Sequence, residues 1–406
     1  MNSTRQRYRH LDLLAGIMLT MIATGAGAAH AQADNVSNPH EGNGDSDVGA
    51  VYVNNNATPR NSVVILSREA DGTLKEQDRV GTGGRGTGNI LESQGALVLS
   101  EGGEWLFAAN AGSDDISVFA VIEGGGLVRV DKVSSGGDRP LSLAVSEDLL
   151  YVLNAGSAGN ITAFTVNPNG SLTPLADSTR SLSTTAIEPC PPLVTDLGDP
   201  DAVCSVAGPA QIQFSPGGNV IVVTERLTNL IDTYTVGDDG RTTGFATHPA
   251  AGMTPFGFDF AKRGRLIVSN NFLDGSGLGG AASYLLSEDS GVVATVTENL
   301  PNGQTASCWM IVTNDGRYAY VSNPLSGTLT SYTIQNDGGI SLLRAVAGVT
   351  GEDPRDPGLS DNGRYLYILN NFAGTVNAFR VNGNGRLKFI EEVSGIVPGA
   401  VGLAAR

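Results

Sequence analysis

Residues 318–323 read Tyr-Ala-Tyr-Val-Ser-Asn, and residues 365–370, 47 positions later, read Tyr-Leu-Tyr-Ile-Leu-Asn. Both are apolar runs rich in aromatic and branched side chains, which favour buried β-strands, and both end in Asn. The pattern recurs earlier, with Glu225 replacing Asn in one copy, at residues 51–54, 106–110, 150–154, 220–225 and 266–270. One strand is therefore repeated along the whole chain.

A polar turn recurs in phase with these strands. Its seven copies are Asp71-Gly72, Gly125-Gly126, Asn169-Gly170, Asp239-Gly240, Ser290-Gly291, Asp337-Gly338 and Asn384-Gly385. Asn-Gly and Asp-Gly pairs tolerate the positive φ angles of a two-residue hairpin, so each copy predicts two antiparallel strands. Successive turn glycines from Gly126 onward are 44, 70, 51, 47 and 47 residues apart. A four-stranded unit with a period of about 40 to 50 residues is typical of a propeller blade, which predicts an all-β, seven-bladed β-propeller with four antiparallel strands per blade.

The two ends of the repeat predict how the ring closes. Blade one opens at Val51–Asn54, which is the Asn-ended second strand, and the inner strand that precedes it in other blades is missing. The chain ends instead in an apolar segment, Gly399–Ala404. We expect this segment to complete blade one and so remove the exposed edges of an open ring.

The first 31 residues have the composition of a secretory signal peptide. Three arginines precede the apolar stretch Leu13–Ala23, and Ala29-His30-Ala31 supplies a small-residue cleavage site before Gln32. The apolar stretch is short for a membrane-spanning helix. Asp12 at its edge is unusual for a signal peptide, so an uncleaved membrane anchor is the alternative. Residues 32–49 are expected to form a disordered leader and residues 50–406 the propeller. The mature protein is then expected in the periplasm or outside the cell, with no membrane association after cleavage.

The net charge argues against nucleic-acid binding. The full chain has a formal charge of −16, and removing residues 1–31, which carry three Arg and one Asp, changes it to −18. An acidic surface of this kind repels nucleic acid and anionic lipid. A small anionic ligand would need a local basic site, and a monomer is expected.

Cys190 and Cys204 flank a Pro-rich insertion at about residues 180–209, which explains the 70-residue step. In an oxidising compartment a disulfide closing this loop is favoured over a metal or redox role, and it would contribute roughly 3 kcal/mol to stability. Cys308, the third cysteine of the mature chain, is expected to be a buried apolar residue.

Two sets of loops should meet at one mouth of the channel: those after the Asn-ended strands, and those joining each outer strand to the next inner strand. The first set supplies Asn54, Asn110, Asn154, Glu225, Arg226, Asn270, Asn271, Asn323 and Asn370, and the second supplies Arg85, Arg139, Arg355 and Asp356. Converging guanidinium groups would bind a carboxylate or phosphate. The alternatives are that each Arg neutralises a nearby Asp and that each Asn stabilises a turn.

Other chemistries have little support in the sequence. The propeller contains one histidine, His248, which is a candidate general base at the mouth or a structural residue of an outer strand. No histidine pair has metal-ligand spacing, and no Gly-x-Ser-x-Gly motif is present, so neither a metal site nor a serine hydrolase is predicted. The glycine-rich segment 81–88 lacks the Lys-Ser/Thr ending of a phosphate-binding loop and is interpreted as a connection between blades.

From residue 50 onward the chain resembles the lactonase family of seven-bladed propellers, related to 6-phosphogluconolactonase and the fungal carboxymuconate-lactonizing enzyme. Versions of that family's Ser-Pro-Asp-Gly-Arg-x-Leu-Tyr-Val-x-Asn signature occupy residues 97–107, 214–218, 314–323 and 360–367. The resemblance implies a reaction without metal or cofactor, in which a His with Arg and Glu or Asp side chains in the channel opens or closes a lactone.

The family's Pro-His-x-His segment corresponds here to Pro209–Gln213, with Gln211 where the family has an imidazole. Glutamine cannot exchange a proton at neutral pH. The resemblance then implies that Glu225 is the base, that Arg226 or Arg355 polarises the carbonyl and that Gln211 is a hydrogen-bond partner. The candidate substrate-binding residues are Arg139, Gln211, Asn154, Asn270, Asn323, Asn370 and His248.

Two functions from different classes remain open. The first is a lactonase or lactonizing cyclase that acts on a small anionic lactone, and the second is a non-catalytic propeller that binds a small molecule, a polymer or a protein. Convergence of Glu225, Arg226 and Arg355 on one channel would favour the first. A quinone-dependent dehydrogenase would share the fold, but Trp105 and Trp309 are the only tryptophans and form no docking repeat.

Overall fold

The computed structural model describes residues 48–190 and 202–406, and the strands of this region form seven antiparallel blades. Six blades have four strands, and blade three has five because two short strands share its outermost position. The first strand of a blade lines the channel and the fourth is outermost. Blade one contains β1 (Gly49–Asn54), β2 (Ser62–Arg68) and β3 (Leu74–Gly81); blade two contains β4 (Leu97–Leu99), β5 (Trp105–Asn110), β6 (Asp115–Val121) and β7 (Leu127–Ser134); blade three contains β8 (Pro140–Ser146), β9 (Leu149–Asn154), β10 (Asn160–Val166), β11 (Leu172–Pro174) and β12 (Arg180–Ser181).

The insertion after blade three forms a small hairpin of β13 (Ile187–Pro189) and β14 (Val203–Ser205). The other four blades follow in chain order. Blade four contains β15 (Pro209–Phe214), β16 (Val220–Glu225), β17 (Leu230–Val236) and β18 (Thr242–Pro249); blade five contains β19 (Pro255–Ala261), β20 (Arg265–Asn270), β21 (Gly280–Leu286) and β22 (Val293–Pro301); blade six contains β23 (Met310–Val312), β24 (Tyr318–Asn323), β25 (Thr328–Ile334) and β26 (Ile340–Val349); blade seven contains β27 (Pro354–Leu359), β28 (Tyr365–Asn370), β29 (Thr375–Val381) and β30 (Leu387–Ser394). The helices of the described residues are two 3-10 turns, Glu123–Gly125 and Pro324–Ser326.

The last strand, β31 (Leu403–Ala405), closes the ring by pairing antiparallel with β1. Tyr52 lies opposite Ala404, and the blade order is β3-β2-β1-β31. This confirms the closure predicted from sequence. The strand is shorter than the predicted segment because Gly399 and Gly402 have φ angles of 92° and 78°, which extended backbone cannot include.

The recurring turns are contacts between blades. The hydroxyl groups of Tyr52, Tyr151, Tyr320 and Tyr367, all on second strands, donate to the carbonyl oxygens of the turn glycines Gly125, Gly240, Gly385 and Gly72, each in the following blade. Several of these turns also receive a large side chain: a Cβ on Gly72 would lie 2.3 Å from the ring of Tyr365. The turn glycine therefore serves both the hairpin and the packing between neighbouring blades.

The core lies between the blades, on the faces of the second and third strands. Every residue of β16 and of β28 is buried, whereas the outermost strands alternate between exposed and half-buried residues. This distribution follows from the stacking of blades, because the inner strands have neighbours on both faces and the outer strands do not.

Two of the sequence predictions fall outside the described residues. The signal peptide of residues 1–31 lies there entirely, and so does nearly all of the predicted leader. Within the described residues no helix has the length and apolar character needed to cross a membrane.

Removal of the closing strand should destabilise the ring. Deletion of residues 402–406 would expose the edge of β1 and remove the buried side chain of Leu403, and we expect the melting temperature to fall by at least about 5 °C. Arg406→Ala keeps the strand and is the matched control, with an expected change of less than about 2 °C. Equal melting temperatures for the deletion and the control, measured by calorimetry, would contradict this role of β31.

Candidate functional site

The two predicted sets of loops do lie on one face of the ring. The amide N–H groups of Ala155, Arg226, Asn271 and Asn371, which follow the second strands, donate to the carbonyl oxygens of Arg139, Gly208, Thr254 and Asp353, which precede the inner strands, over 2.9 to 3.1 Å. The four acceptors have φ angles between 54° and 61°. Glu92, in the connection that leads to the inner strand of blade two, adopts the same left-handed conformation, with φ 54°. This repeated geometry surrounds one mouth of the channel with the starts of the inner strands.

An aromatic pair forms the floor of this mouth. The rings of Phe256 from blade five and Trp309 from blade six are buried, with centroids 4.8 Å apart. The guanidinium of Arg226 lies over Phe256 at 5.3 Å, and that of Arg355 lies over Trp309 at 4.7 Å. Guanidinium groups stack favourably on aromatic faces, so the floor fixes the two cations side by side.

Glu92 bridges the two guanidinium groups. Its Oε1 lies 3.3 Å from Arg355 Nη1 and its Oε2 lies 3.6 Å from Arg226 Nη1. The Glu92 side chain is 23% exposed, which makes it the most exposed member of this trio. The base of the mouth therefore presents a partly exposed negative carboxylate flanked by two positive guanidinium groups.

Arg355 is also paired with Asp353 from its own strand region, over 2.7 Å from Nε to Oδ2. Burial by itself would lower the pKa of Arg355, but the carboxylates of Glu92 and Asp353 raise it above its ordinary value. Burial raises the pKa of Asp353 despite the opposing effect of Arg355. Arg355 is therefore a fixed cation, whereas Arg226 has Glu92 as its ion-pair partner among the described residues.

Arg139 lies beside the insertion. Its Nη1 is 3.5 Å from Cys190 Sγ and 3.8 Å from Cys204 Sγ, and these cysteines form the predicted disulfide. Arg139, Arg226 and Glu188 of the insertion hairpin line a cavity of about 40 Å³. This volume holds a few water molecules, well below the usual size of a small-molecule site.

Glu225, the predicted base, is sealed inside blade four. It is 0% exposed, and its oxygens accept hydrogen bonds from Ser183 N, Ser183 Oγ and Thr228 Oγ1 over 2.5 to 2.9 Å. Asp232 lies beside it, and burial together with the hydrogen bond to Glu225 raises the pKa of Asp232 to about 9. Asp232 therefore keeps its proton at neutral pH. Glu225 does not join Arg226 and Arg355 at Glu92.

The repeat explains why these acids are where they are. At the ends of the second strands of blades two, three, six and seven, an Asn amide donates across its own hairpin to a side chain seven or eight residues later: Asn110 to Ser117, Asn154 to Thr162, Asn323 to Thr330 and Asn370 to Asn377. Glu225 and Asp232 occupy this Asn position and its partner in blade four. Asn154, Asn270, Asn323 and Asn370 are all 0% exposed, so these predicted ligand donors do not reach the mouth.

Gln211 and His248 also make structural contacts. The Gln211 amide accepts from Phe258 N at 2.7 Å and donates to Phe258 O at 2.9 Å, which joins blade four to blade five. His248 lies on the outermost strand β18, with Nε2 3.1 Å from Thr233 Oγ1, and burial lowers its pKa. Neither residue contacts the Glu92 cluster.

The other end of the channel holds a larger cavity of about 400 Å³ that is lined by all seven blades. Asp356, predicted at the mouth, lies here instead, and burial raises its pKa to about 6. The polar groups of this cavity are paired between blades: Asp356 accepts from Gly402 N, and Asp259 accepts from Val312 N. We interpret them as ties between inner strands. Among the described residues no group of three His, Cys, Asp or Glu side chains has metal-binding geometry.

The match to known families covers most of the chain. The model of the family described as "Lactonase, 7-bladed beta-propeller" matches residues 44–189, 195–308 and 288–401. The chain belongs to this lactonase family. A comparison with curated proteins finds no match.

Solved structures of similar proteins agree with the fold of this lactonase-family chain. The periplasmic gluconolactonase PpgL of Pseudomonas aeruginosa is 17% identical over 88% of this chain and 98% of its own, with a TM-score of 0.67. A candidate 6-phosphogluconolactonase of Bacteroides uniformis ATCC 8492 is 18% identical over 89% and 100%, with the same TM-score. A protein from Lactobacillus plantarum is 18% identical over 88% and 99%, also at 0.67. Identities this low support a shared fold.

The sequence analysis missed Glu92 of this lactonase-family propeller. It lies in the irregular connection between blades one and two, outside the strand-end positions that the repeat marks. The available signal was the apolar pair Ile90-Leu91 just before it, since a buried pair in a glycine-rich connection indicates that the connection folds inward.

The Glu225–Asp232 pair predicts an unusual dependence of stability on pH. The pKa of Asp232 is higher in the folded than in the unfolded protein, so the folded state binds more protons between about pH 4 and 9 and loses stability as the pH rises. Asp232→Asn removes this effect. Relative to wild type, the free energy of unfolding of Asp232→Asn should increase from pH 5 to pH 8, by at most about 1.4 kcal/mol per pH unit. Its melting temperature should therefore rise relative to that of wild type over the same range.

The exposed residue Asp289 supplies the control for this measurement. Asp289→Asn should shift the melting temperature by the same small amount at every pH. A difference between Asp232→Asn and wild type that stays constant from pH 5 to pH 8 would show that the acid pair holds no extra proton.

Proposed function

We propose that the chain is a lactonase that hydrolyses a small anionic lactone at the mouth, using Glu92, Arg226 and Arg355. The observation that carries this proposal is the bridging of two stacked guanidinium groups by one partly exposed carboxylate. Such an arrangement combines a proton acceptor with donors for a developing oxyanion, which are the two elements that ester hydrolysis needs.

Arg226 is the residue that would polarise the lactone carbonyl. Its contact with Glu92 is the longer of the two, at 3.6 Å, and its side chain is more exposed than that of Arg355. A carbonyl oxygen could replace Glu92 on Arg226, and Arg355 would keep the carboxylate in position. Arg355 is suited to this because Asp353 and Trp309 already hold it.

The chemical steps then require no other acid or base. Glu92 accepts a proton from water as the water oxygen bonds to the carbonyl carbon, and Arg226 stabilises the resulting oxyanion. When the tetrahedral intermediate collapses, the ring C–O bond breaks and the leaving alkoxide takes the proton from Glu92. The product is a hydroxy acid, and Glu92 is ionised again.

The same region supports an anionic substrate and an extracytoplasmic location. Arg139 lines the cavity next to Arg226, so a carboxylate or phosphate remote from the lactone ring would lie between two cations. The Cys190–Cys204 disulfide is of the kind kept in oxidising compartments, and the similar PpgL is named as periplasmic. We therefore propose a protein that acts as a monomer in the periplasm or outside the cell.

One observation favours a second function, a non-catalytic propeller that binds a small anion. The cavity beside Arg226 has a volume of about 40 Å³, which suits a group of a few atoms better than a sugar lactone. The imidazole of the family's motif is also replaced by Gln211, whose amide makes hydrogen bonds with the backbone of Phe258 and the side chain of Gln213. Absence of turnover in the experiment below would select this function.

The test is pH-stat hydrolysis of a panel of sugar lactones, muconolactones and acyl-homoserine lactones by the protein starting at Gln32. Because Glu92 is the proposed base, Glu92→Gln should lower kcat by about 100-fold or more. Glu225→Gln is the matched control, because the Gln carbonyl oxygen can still accept a hydrogen bond from protonated Asp232, and its kcat should stay within about threefold of wild type.

The two variants also separate the structural assignment from the one based on sequence. Loss of turnover in Glu225→Gln with full activity in Glu92→Gln would return the role of base to Glu225. Wild-type protein that hydrolyses no member of the panel above the buffer rate would contradict the lactonase proposal itself.

A further inference from the structure

Residues Ser93, Gln94 and Gly95 cross the channel directly after Glu92, and we call this segment the brace. Gln94 N donates to Ala210 O of blade four at 3.0 Å, and the Gln94 side-chain amide makes a two-way pair with the backbone of Met310 in blade six, at 2.7 and 2.9 Å. Gly95 O accepts from Leu143 N of blade three at 2.9 Å. The brace is thus tied to three blades.

Trp309 connects the brace to the arginine pair. Its indole Nε1–H donates to Ser93 O at 2.8 Å, and its ring face carries Arg355 at 4.7 Å. The ring also packs on Phe256, which carries Arg226. The buried Trp309 side chain therefore contacts Ser93, which is next to Glu92 in the chain, and also Arg355. It is linked to Arg226 through Phe256.

We propose that Trp309 is a positioning residue, which acts through Ser93 and Arg355 to hold the Glu92 carboxylate between Arg226 and Arg355. This inference rests on the proposed function for its catalytic meaning, but the arrangement that it describes can be tested without turnover.

The backbone at Glu92 explains why such a residue is needed. A φ angle of 54° is unfavourable for a residue with a Cβ and persists where surrounding contacts enforce it. Immediately after Glu92, the backbone is held by the hydrogen bond from the Trp309 indole to Ser93 O and then by the hydrogen bond from Met310 N to the Gln94 side chain. Without that bond, the backbone can relax and the carboxylate can leave the arginines.

Trp309→Phe isolates this contact, because phenylalanine keeps an aromatic face for Arg355 and lacks the N–H donor. The probe is phenylglyoxal, which reacts with accessible arginine side chains, with the modification of Arg226 followed by mass spectrometry. Arg226 is shielded by Glu92 in the wild-type protein. We expect its modification rate to rise about fivefold in Trp309→Phe, close to the rate in Glu92→Gln, which removes the charge outright.

Two further variants make the result specific. Trp105→Phe removes the other tryptophan, which lies on β5 and outside the mouth, and should leave the Arg226 rate unchanged. Gln94→Ala keeps Trp309 and loosens the brace through Met310, so it should raise the rate as well. The melting temperature of each variant shows whether it is folded. A variant that has lost its structure would also show equally faster modification at its other arginines.

An unchanged Arg226 rate in folded Trp309→Phe, with a clear rise in Glu92→Gln, would overturn the positioning role. If a lactone is hydrolysed, the same variant should lower kcat about tenfold with KM unchanged, since the contact matters to the placement of Glu92 in the transition state. Faster labelling of Arg226 in a protein that hydrolyses no lactone would uphold the positioning role while the proposed function fails.

Discussion

Every part of this molecule depends on closing seven sheets into a ring. A sheet of four strands has an inner edge with unpaired backbone groups, and blade one would present that edge at β1 if the chain did not return to it. Pairing of Leu403–Ala405 with β1 satisfies those groups, and the hydroxyl of Tyr367 binds the turn carbonyl of Gly72 across the same junction. Only a closed ring brings the starts of its inner strands together at one mouth, so the geometry around Glu92 is a consequence of the closure.

The fold could be predicted because its determinants are local and repeated. A turn glycine such as Gly385 is needed both for its φ of 74° and for the Tyr318 ring packed against it, and either requirement leaves the same mark in the sequence. The strand-end Asn is marked in a similar way, because it satisfies its own hairpin. These residues were correctly expected to mark blades, but the same regularity made them poor indicators of a site.

Only part of the candidate site could be predicted, because its members are far apart in the sequence. Arg226 and Arg355 were recognised as cations at the mouth, whereas their carboxylate partner Glu92 lies 134 and 263 residues away from them, in a connection without a repeat pattern. Glu225 looked like the natural partner by position. Its environment, set by Ser183 from the insertion and by Asp232, is a tertiary property that no spacing along the sequence reveals.

The contacts from each tyrosine to the next turn also bear on how the protein comes apart. In an open array of repeats the terminal units have one neighbour each, and loss of structure can begin there and spread inward. In this ring the tie from Tyr367 to Gly72 and the β31–β1 pair give the first and last blades two neighbours like the rest. Unfolding has no preferred end at which to start, so the blades should melt in a single cooperative transition, and proteases should find their first sites in the connecting loops.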